Sequence, residues 1–385
     1  MLNKLKKQLH QIPVSGIRAF NEEAAAVPDC ISLTLGEPAF DTPKDIKKAL
    51  KQALDHNHTH YAAAMGDLDL RRKIAVYEWK NHHLLYDADE IMVCAGASDA
   101  LSTALAALID PGDEIIVPTP AYPQYEAIIK LEGGRFIPLD TQDHEFQISR
   151  EELERVFSDK TKAILLNSPN NPSGCIYDQA SLTLIHDFVK DKQIFVLCDD
   201  VYDRLVYDDS YNSFMKFQDL RSQLLAVKSF SKPYAMTGWR LGYLLADKKI
   251  LAEIMKIHQY RFSCVNTFVQ KAGIKALEID PTEMLAVYKK HRDLAVGRLR
   301  EMGLPINQPA GAFYVFPNIE EFGMDSVSFC KRMLHEARVA CVPGSYFHAE
   351  GYIRISTCGS TRQLIEGLNR IEAFIYELRK NDRQL

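Results

Sequence analysis

The sequence predicts an α/β fold: a large domain on a mainly parallel seven-stranded sheet flanked by helices, and a small α+β domain. Three observations lead there. Short apolar or β-branched runs alternate with segments of helical periodicity, an order that gives parallel strands joined by right-handed crossovers. At 385 residues the chain is too long for one ordinary core, so two domains are expected. A composition break at Asp280-Pro281-Thr282 then precedes a long polar helical stretch. The large domain is therefore assigned to 46–280, and the small domain to 1–45 together with 281–385.

In chain order, Pro43 just after Thr42 suits a helix start, and Ile46, Ala49, Leu50, Ala53 and Leu54 recur at helical spacing. Strands are expected at Ile91–Cys94, Glu114–Val117, Arg135–Leu139, Lys162–Asn167, Ile194–Cys198, Leu224–Ser229 and Leu241–Ala246. They are β-branched or wholly apolar, as burial on both faces requires. Leu101, Ala104, Leu105 and Leu108 mark a helix between the first two strands. The apolar run around that helix is broken by Ser102 and Thr103, so it reads as a buried helix and not a membrane span. Beyond the break the pattern predicts a polar helix over 283–302, an apolar run Phe313–Phe316, a helix over 326–337, and strands at Arg338–Val342 and Tyr352–Ser356. The terminal helix carries Leu364, Leu368, Ile371, Ile375 and Leu378 on one stripe. The first 45 residues precede the first large-domain helix and are expected to pack with the small domain.

Composition excludes several classes. Hydrophobic content of 46% and charged content of 25% are those of a soluble globular protein, and a net charge of −5 leaves no basic footprint for nucleic acid. Residues 1–13 hold lysines without an apolar run after them, so no secretory signal is expected. None of the eight cysteines pairs with another at C-x-x-C spacing, so neither zinc nor a redox dithiol is indicated. Buried free thiols in a reducing cytoplasm are the simplest reading. His56, His58, His60, His82 and His83 fall in polar segments and are expected on the solvated surface, with no metal bound.

In a parallel α/β sheet, ligands bind beyond the carboxyl ends of the strands. Asn171, Asp199 and Lys232 each follow an expected strand, so one crevice can collect all three. Lys232 closes Ser229-Phe230-Ser231-Lys232, with Arg240 eight residues on; upstream lie Asn167–Gly174 and Asp199-Asp200-Val201-Tyr202. These segments supply an amine, an aspartate, an asparagine, a tyrosine, hydroxyls and a guanidinium. Pyridoxal phosphate needs that set: its aldehyde takes a lysine as a Schiff base, its ring nitrogen an acid, its phosphate donors and positive charge.

Further motifs stand in a consistent order: Leu33-Thr34-Leu35-Gly36-Glu37-Pro38, then Tyr61 with Gly66 and Leu70-Arg71, Gly96-Ala97-Ser98, Pro120-Ala121-Tyr122, and finally Arg354. With them the chain resembles a fold-type I, class I aminotransferase over nearly its whole length. The resemblance implies a pyridoxal-phosphate enzyme that exchanges an amino group between an L-amino acid and a 2-oxo acid such as 2-oxoglutarate. It implies catalytic roles for Lys232, Asp199 and Tyr202. Cofactor contacts are implied for Ala97, Ser98, Tyr122, Asn171, Ser229, Ser231 and Arg240. Gly36, Asn171 and Arg354 would hold the substrate carboxylate. The family is typically homodimeric, with Tyr61 reaching the partner's site. Three features depart from the family pattern: Asp200 where glutamate is common, Ser173 where threonine is common, and Pro233 directly after Lys232. The stretch Pro343–Tyr352 also looks about two residues short, next to the substrate arginine. Ser15-x-Ile17-Arg18, Met236–Arg240 and Ile257–Tyr260 resemble two bacterial groups, one acting on aromatic amino acids and one on N-acetyl-diaminopimelate. A carbon–sulfur β-lyase of the cystathionine type uses the same fold and cofactor and is the alternative.

Overall fold

The computed structural model describes residues 1, 4–207 and 211–382. Its strands are β1 (Ile31–Ser32), β2 (Ile91–Cys94), β3 (Glu114–Thr119), β4 (Arg135–Asp140), β5 (Thr161–Asn167), β6 (Phe195–Asp199), β7 (Leu224–Ser229), β8 (Gly242–Ala246), β9 (Tyr314–Val315), β10 (Val339–Ala340), β11 (Val342–Pro343) and β12 (Ile353–Ser356). Its α-helices are α1 (Gly16–Ala25), α2 (Lys44–Asp55), α3 (Leu68–His82), α4 (Ala97–Leu108), α5 (Gln124–Leu131), α6 (Arg150–Val156), α7 (Gln179–Val189), α8 (Lys248–Phe262), α9 (Thr267–Ala276), α10 (Thr282–Glu301), α11 (Ser326–Glu336) and α12 (Thr361–Asp382).

A seven-stranded sheet of order β2-β8-β7-β6-β5-β3-β4 forms the main layer. Only β8 runs against the others, antiparallel to both β2 and β7. Successive residues of each strand point to opposite faces, so each strand feeds two cores. Ile91, Val93, Ile164, Val196 and Ala226 pack on the side of α2, α3, α7 and α9. Met92, Cys94, Leu165, Leu197 and Leu225 pack on the side of α4, α5 and α8. Both faces being covered explains the near-continuous apolar runs. The expected strand at 135–139 is the exception: β4 lies at one edge of the sheet, and Arg135, Pro138 and Asp140 are exposed.

A third core joins Phe20, Ala24 and Leu33 to Leu299, Phe329, Met333, Ile355 and the stripe of α12. β1 pairs in parallel with β10, and β11, β12 and β9 form an antiparallel sheet. The single strand expected over 338–342 is therefore two. Val339–Ala340 belongs with β1 and Val342–Pro343 with β12, with Cys341 between them. The helix read as polar, α10, has a buried face: Met284 and Tyr288 enter one core, Ala295, Val296 and Leu299 another. All eight cysteines are free, six of them buried. Among the described residues no helix is long and apolar enough to cross a membrane.

His82 departs from the expected surface position. Its side chain is 8% exposed and lies 3.2 Å from Asp203. The reason is Lys228 on β7, whose ammonium is buried 2.7 Å from Asp203, 3.3 Å from Asp200 and 3.9 Å from Glu78. A buried charge needs partners, and three carboxylates plus one imidazole gather around it from α3 and the loop after β6.

Candidate active site

The carboxyl ends of β5, β6 and β7 and the start of α4 converge on a cleft of about 460 Å³. Gly36, Ala97, Ser98, Tyr122, Asn171, Asp199, Tyr202, Ser229, Ser231, Lys232, Arg240 and Arg354 all line it. Of the site residues expected from sequence only Tyr61 lies elsewhere: it is 90% exposed and does not reach this chain's own cleft.

Lys232 sits three residues past β7. Its Nζ donates to the Gly36 carbonyl at 2.5 Å and lies 5.9 and 5.8 Å from the ring centres of Tyr202 and Phe313. Burial lowers its pKa to about 8; Cys358 and Glu37 oppose the shift, while Arg354 and Arg240 add to it. About a tenth of this amine is neutral at pH 7, far more than for an ordinary lysine, and the neutral form is what a nucleophilic lysine requires.

Asp199 ends β6 and is buried. Its Oδ2 accepts from the Tyr125 hydroxyl at 2.7 Å, and its Oδ1 receives only a long contact of 3.4 Å from the Val201 N–H. Burial raises its pKa to about 6 although the Tyr125 bond pulls the other way. A carboxylate accepts at about four lone-pair sites, so Oδ1 keeps capacity for a cationic N–H donor.

Asn167, at the end of β5, organises the floor. Its amide donates to the Asp199 carbonyl at 2.9 Å and its oxygen accepts the Asn171 N–H at 2.9 Å. The Asn171 side-chain oxygen in turn accepts from Arg354 at 2.9 Å, and the same guanidinium donates to the Thr34 carbonyl at 2.7 Å. Tyr314 and Phe347 flank Arg354 at 4.4 and 4.9 Å, so the plane is fixed. Its Nε is buried with no acceptor among the described residues. Tyr202 and Tyr314 hydroxyls meet at 3.0 Å. A Cβ on Gly36 would fall 2.6 Å from the Tyr314 hydroxyl, so glycine permits this close backbone approach.

An anion corner occupies the other end. Gly96, at φ +84°, caps α4, whose first residues are Ala97 and Ser98. A Cβ there would fall 2.6 Å from an Arg240 guanidinium nitrogen, so only glycine lets that charge sit at the helix start. Arg240 is itself held by its bond to the Thr237 carbonyl at 2.9 Å. The Ser229 hydroxyl accepts the Ser231 N–H at 3.0 Å, and Ser98 donates to Gln124 at 3.3 Å. Free helix N–H groups, hydroxyls and a guanidinium are the donors a phosphate takes. Tyr122 stands on the cleft wall with its ring edge-to-face on Tyr125, centroids 5.9 Å apart. Amine, acid without a cation partner, and anion corner together fit pyridoxal phosphate.

Sequence reasoning missed Tyr125 and Tyr314. Each partner lies far away in the chain, 74 residues for Tyr125 and 112 for Tyr314, so no local pattern marks them. Asn167 belongs to the asparagine-rich motif 167–174, and its position at the end of β5 was the available signal.

The family model described as aminotransferase class I and II matches residues 28–371. The chain belongs to this family. It is 40% identical to the probable N-acetyl-LL-diaminopimelate aminotransferase of Bacillus subtilis, over 99% of this chain and 98% of that protein. It is 39% identical to the aspartate aminotransferase of Pyrococcus abyssi, over 97% of this chain and 98% of that protein. Among solved structures, aspartate aminotransferase from Thermotoga maritima superposes with a TM-score of 0.93 at 37% identity, covering 97% of this chain and all of the other. The aromatic aminotransferase from Pyrococcus horikoshii OT3 gives 0.89 at 39% identity, covering 94% and 99%. The fold is that of the fold-type I aminotransferases, and the protein is an aminotransferase acting on amino acids and 2-oxo acids. Membership implies pyridoxal phosphate as the cofactor.

Proposed function

We propose that this aminotransferase holds pyridoxal phosphate through Lys232 and takes its amino group from N-acetyl-diaminopimelate or an aromatic amino acid, passing it to a 2-oxo acid such as 2-oxoglutarate. The observation that carries the reading is the buried Lys232 amine, with its lowered pKa, in one cleft with an acid that lacks a cation partner. When bound, the cofactor supplies the electron sink for the substrate's Cα. Lys232, held by Gly36 in the resting site, would carry the proton to and from Cα as general base and then acid. Asp199 would keep the ring nitrogen protonated by an opposite-charge contact. Asn171 and Tyr202 would hold the ring oxygen in plane, and Tyr122 would cover a ring face. The α4 start at Ala97 and Ser98, with Ser229, Ser231 and Arg240, would seat the phosphate. Arg354 would clamp the substrate α-carboxylate, with Asn171 beside it and Gly36 admitting the close approach. The exposure of Tyr61 suits a side chain that acts across a homodimer interface. We keep the expected division at 46–280 against 1–45 and 281–385 as part of this reading, with the cleft between the two parts.

Other relatives of similar identity are named for aspartate, so the donor panel includes it. The test is glutamate formation from 2-oxoglutarate with N-acetyl-diaminopimelate, phenylalanine, tyrosine and aspartate in turn. Exchange with one of the first three, at higher kcat/KM than aspartate, is expected. Pyruvate from cystathionine without any acceptor, and no exchange, would assign the lyase reaction instead.

A further inference from the structure

The start of α4 also has a buried side, turned away from the cleft. Ala97 and Ser98 line the cleft, and the next residue, Asp99, does not. The helix opens on Gly96, which has no side chain to take up the first free N–H groups, so they remain for a ligand. The turn is held from behind instead. Asp99 Oδ2 accepts the Ala95 N–H at 2.8 Å, and Oδ1 meets the Thr103 hydroxyl at 3.4 Å. His258 of α8 reaches the same carboxylate, with Nε2 3.2 Å from Oδ2. Burial works to raise the Asp99 pKa, and the bonds from His258 and Ala95 overcome it, so the carboxylate stays ionised. An ionised carboxylate only accepts, so Nε2 carries a proton. The imidazole is fully buried, stacked on Phe262 at 6.1 Å, and its Nδ1 has no partner among the described residues. A buried polar ring costs stability unless it is bonded, and an apolar side chain would fill this space between α4 and α8 without that cost. A Cβ on Gly242 would fall 2.9 Å from the Gly96 carbonyl carbon and 3.0 Å from the Ala97 nitrogen, so the turn is pressed on β8 as well.

We infer that His258 is a positioning residue for the cofactor's phosphate: acting through Asp99, it locks the turn at residues 95–98 so that the free N–H groups of α4 face the anion in the cleft. This rests on the seating of the phosphate at Ala97 and Ser98 proposed above. One oxygen of Asp99 ties the imidazole on α8 to the backbone directly before Gly96, so a shift of the ring passes to the turn through two hydrogen bonds. The same bond gives Asp99 a donor of its own. The carboxylate is then not drawn to the helix N–H groups that the phosphate needs.

The test titrates the full-length chain, freed of cofactor, with pyridoxal phosphate and with pyridoxal, the same aldehyde without the phosphate, and follows the visible absorbance band. A hydrogen bond to a charged group is worth about tenfold or more in an equilibrium constant, which sets the scale. Wild type, with several such donors at the anion corner, should bind the phosphorylated form at least about a hundredfold tighter than pyridoxal. His258→Phe keeps an aromatic ring beside Phe262 and deletes the donor; it should cut that ratio by about tenfold or more while shifting the pyridoxal constant by less than about threefold. His258→Gln restores an N–H donor without a ring and should hold the ratio within about threefold of wild type. Asp99→Ala should lower the ratio as far as His258→Phe does, and adding His258→Phe to it should cost less than about threefold more, since the imidazole acts through the carboxylate. This pair reads the same link if His258→Phe alone does not fold. A ratio that survives His258→Phe, equal weakening of both ligands, no rescue by glutamine, or additive losses in the double variant would each overturn the inference. Equal binding of the two ligands by wild type would instead overturn the phosphate seat itself, and the inference with it.

Discussion

Tyr125→Phe isolates one hydrogen bond beneath the proposed cofactor. The substitution keeps the ring and its edge-to-face contact with Tyr122, and deletes only the donor 2.7 Å from the Asp199 carboxylate. That distance belongs to a charge-assisted O–H···O⁻ bond, worth about 1.5–3 kcal/mol to the ionised form. Asp199 already titrates near 6, against an ordinary value of 3.8, because burial penalises its charge. Its folded pKa is raised, so its contribution to stability is full below the unfolded value and is lost as pH climbs through the folded one. In the cofactor-free protein the loss between the two values amounts to about 3 kcal/mol. Removing the tyrosine donor moves the folded pKa up further, by about one pH unit, the difference between its bond to the charged and to the neutral form. Wild type and Tyr125→Phe should then diverge with pH. At pH 5 both carry a protonated Asp199, and the difference is that of a neutral bond, about 0.5–1.5 kcal/mol. At pH 8.5 both carry the carboxylate, and the full 1.5–3 kcal/mol or so separates them. With an unfolding entropy of about 2.1 cal/mol/K per residue, this is a gap in Tm of about 2–4 °C. Thermal unfolding of the two cofactor-free proteins across that pH range is the assay. A gap that stays constant with pH, or shrinks above pH 7, would refute the link between Tyr125 and the Asp199 charge.

Lys232 titrates near 8, so capture of added pyridoxal phosphate by the cofactor-free protein should speed up with rising pH and level off above that value; a flat stopped-flow profile contradicts it. Arg354→Lys loses the flanked, planar guanidinium and should lower kcat/KM for every amino donor by about tenfold or more, read by steady-state kinetics. Lys228→Met leaves Asp203, Asp200 and Glu78 facing one another without their central cation, and should cost about 3–5 kcal/mol in chemical denaturation; a loss under about 1 kcal/mol would show that the cluster neutralises itself through His82.

Much of this architecture was legible because its signals are local. Six of the seven sheet strands are short apolar runs, since both faces are covered, and the residues that follow β5, β6 and β7 inherit their place from the strand ends. Where an element is partly exposed the signal changes: β4, at one edge of the sheet, exposes Arg135, Pro138 and Asp140 and buries Leu139. The split of 338–342 was illegible because Cys341 is as apolar as its neighbours, and only the partners reveal two sheets. The same holds for His82, whose polar surroundings in sequence conceal a buried lysine 146 positions away, and for Tyr125, whose hydroxyl matters only once β6 lies beside α5.

The most direct test of the account is an absorbance titration of the purified, cofactor-loaded protein with single amino acids. A visible band, absent in Lys232→Ala, should move to the near-ultraviolet on adding an amino donor and return on adding 2-oxoglutarate. A band that stays in place with every donor, or that is unaffected by the loss of Lys232, would contradict it.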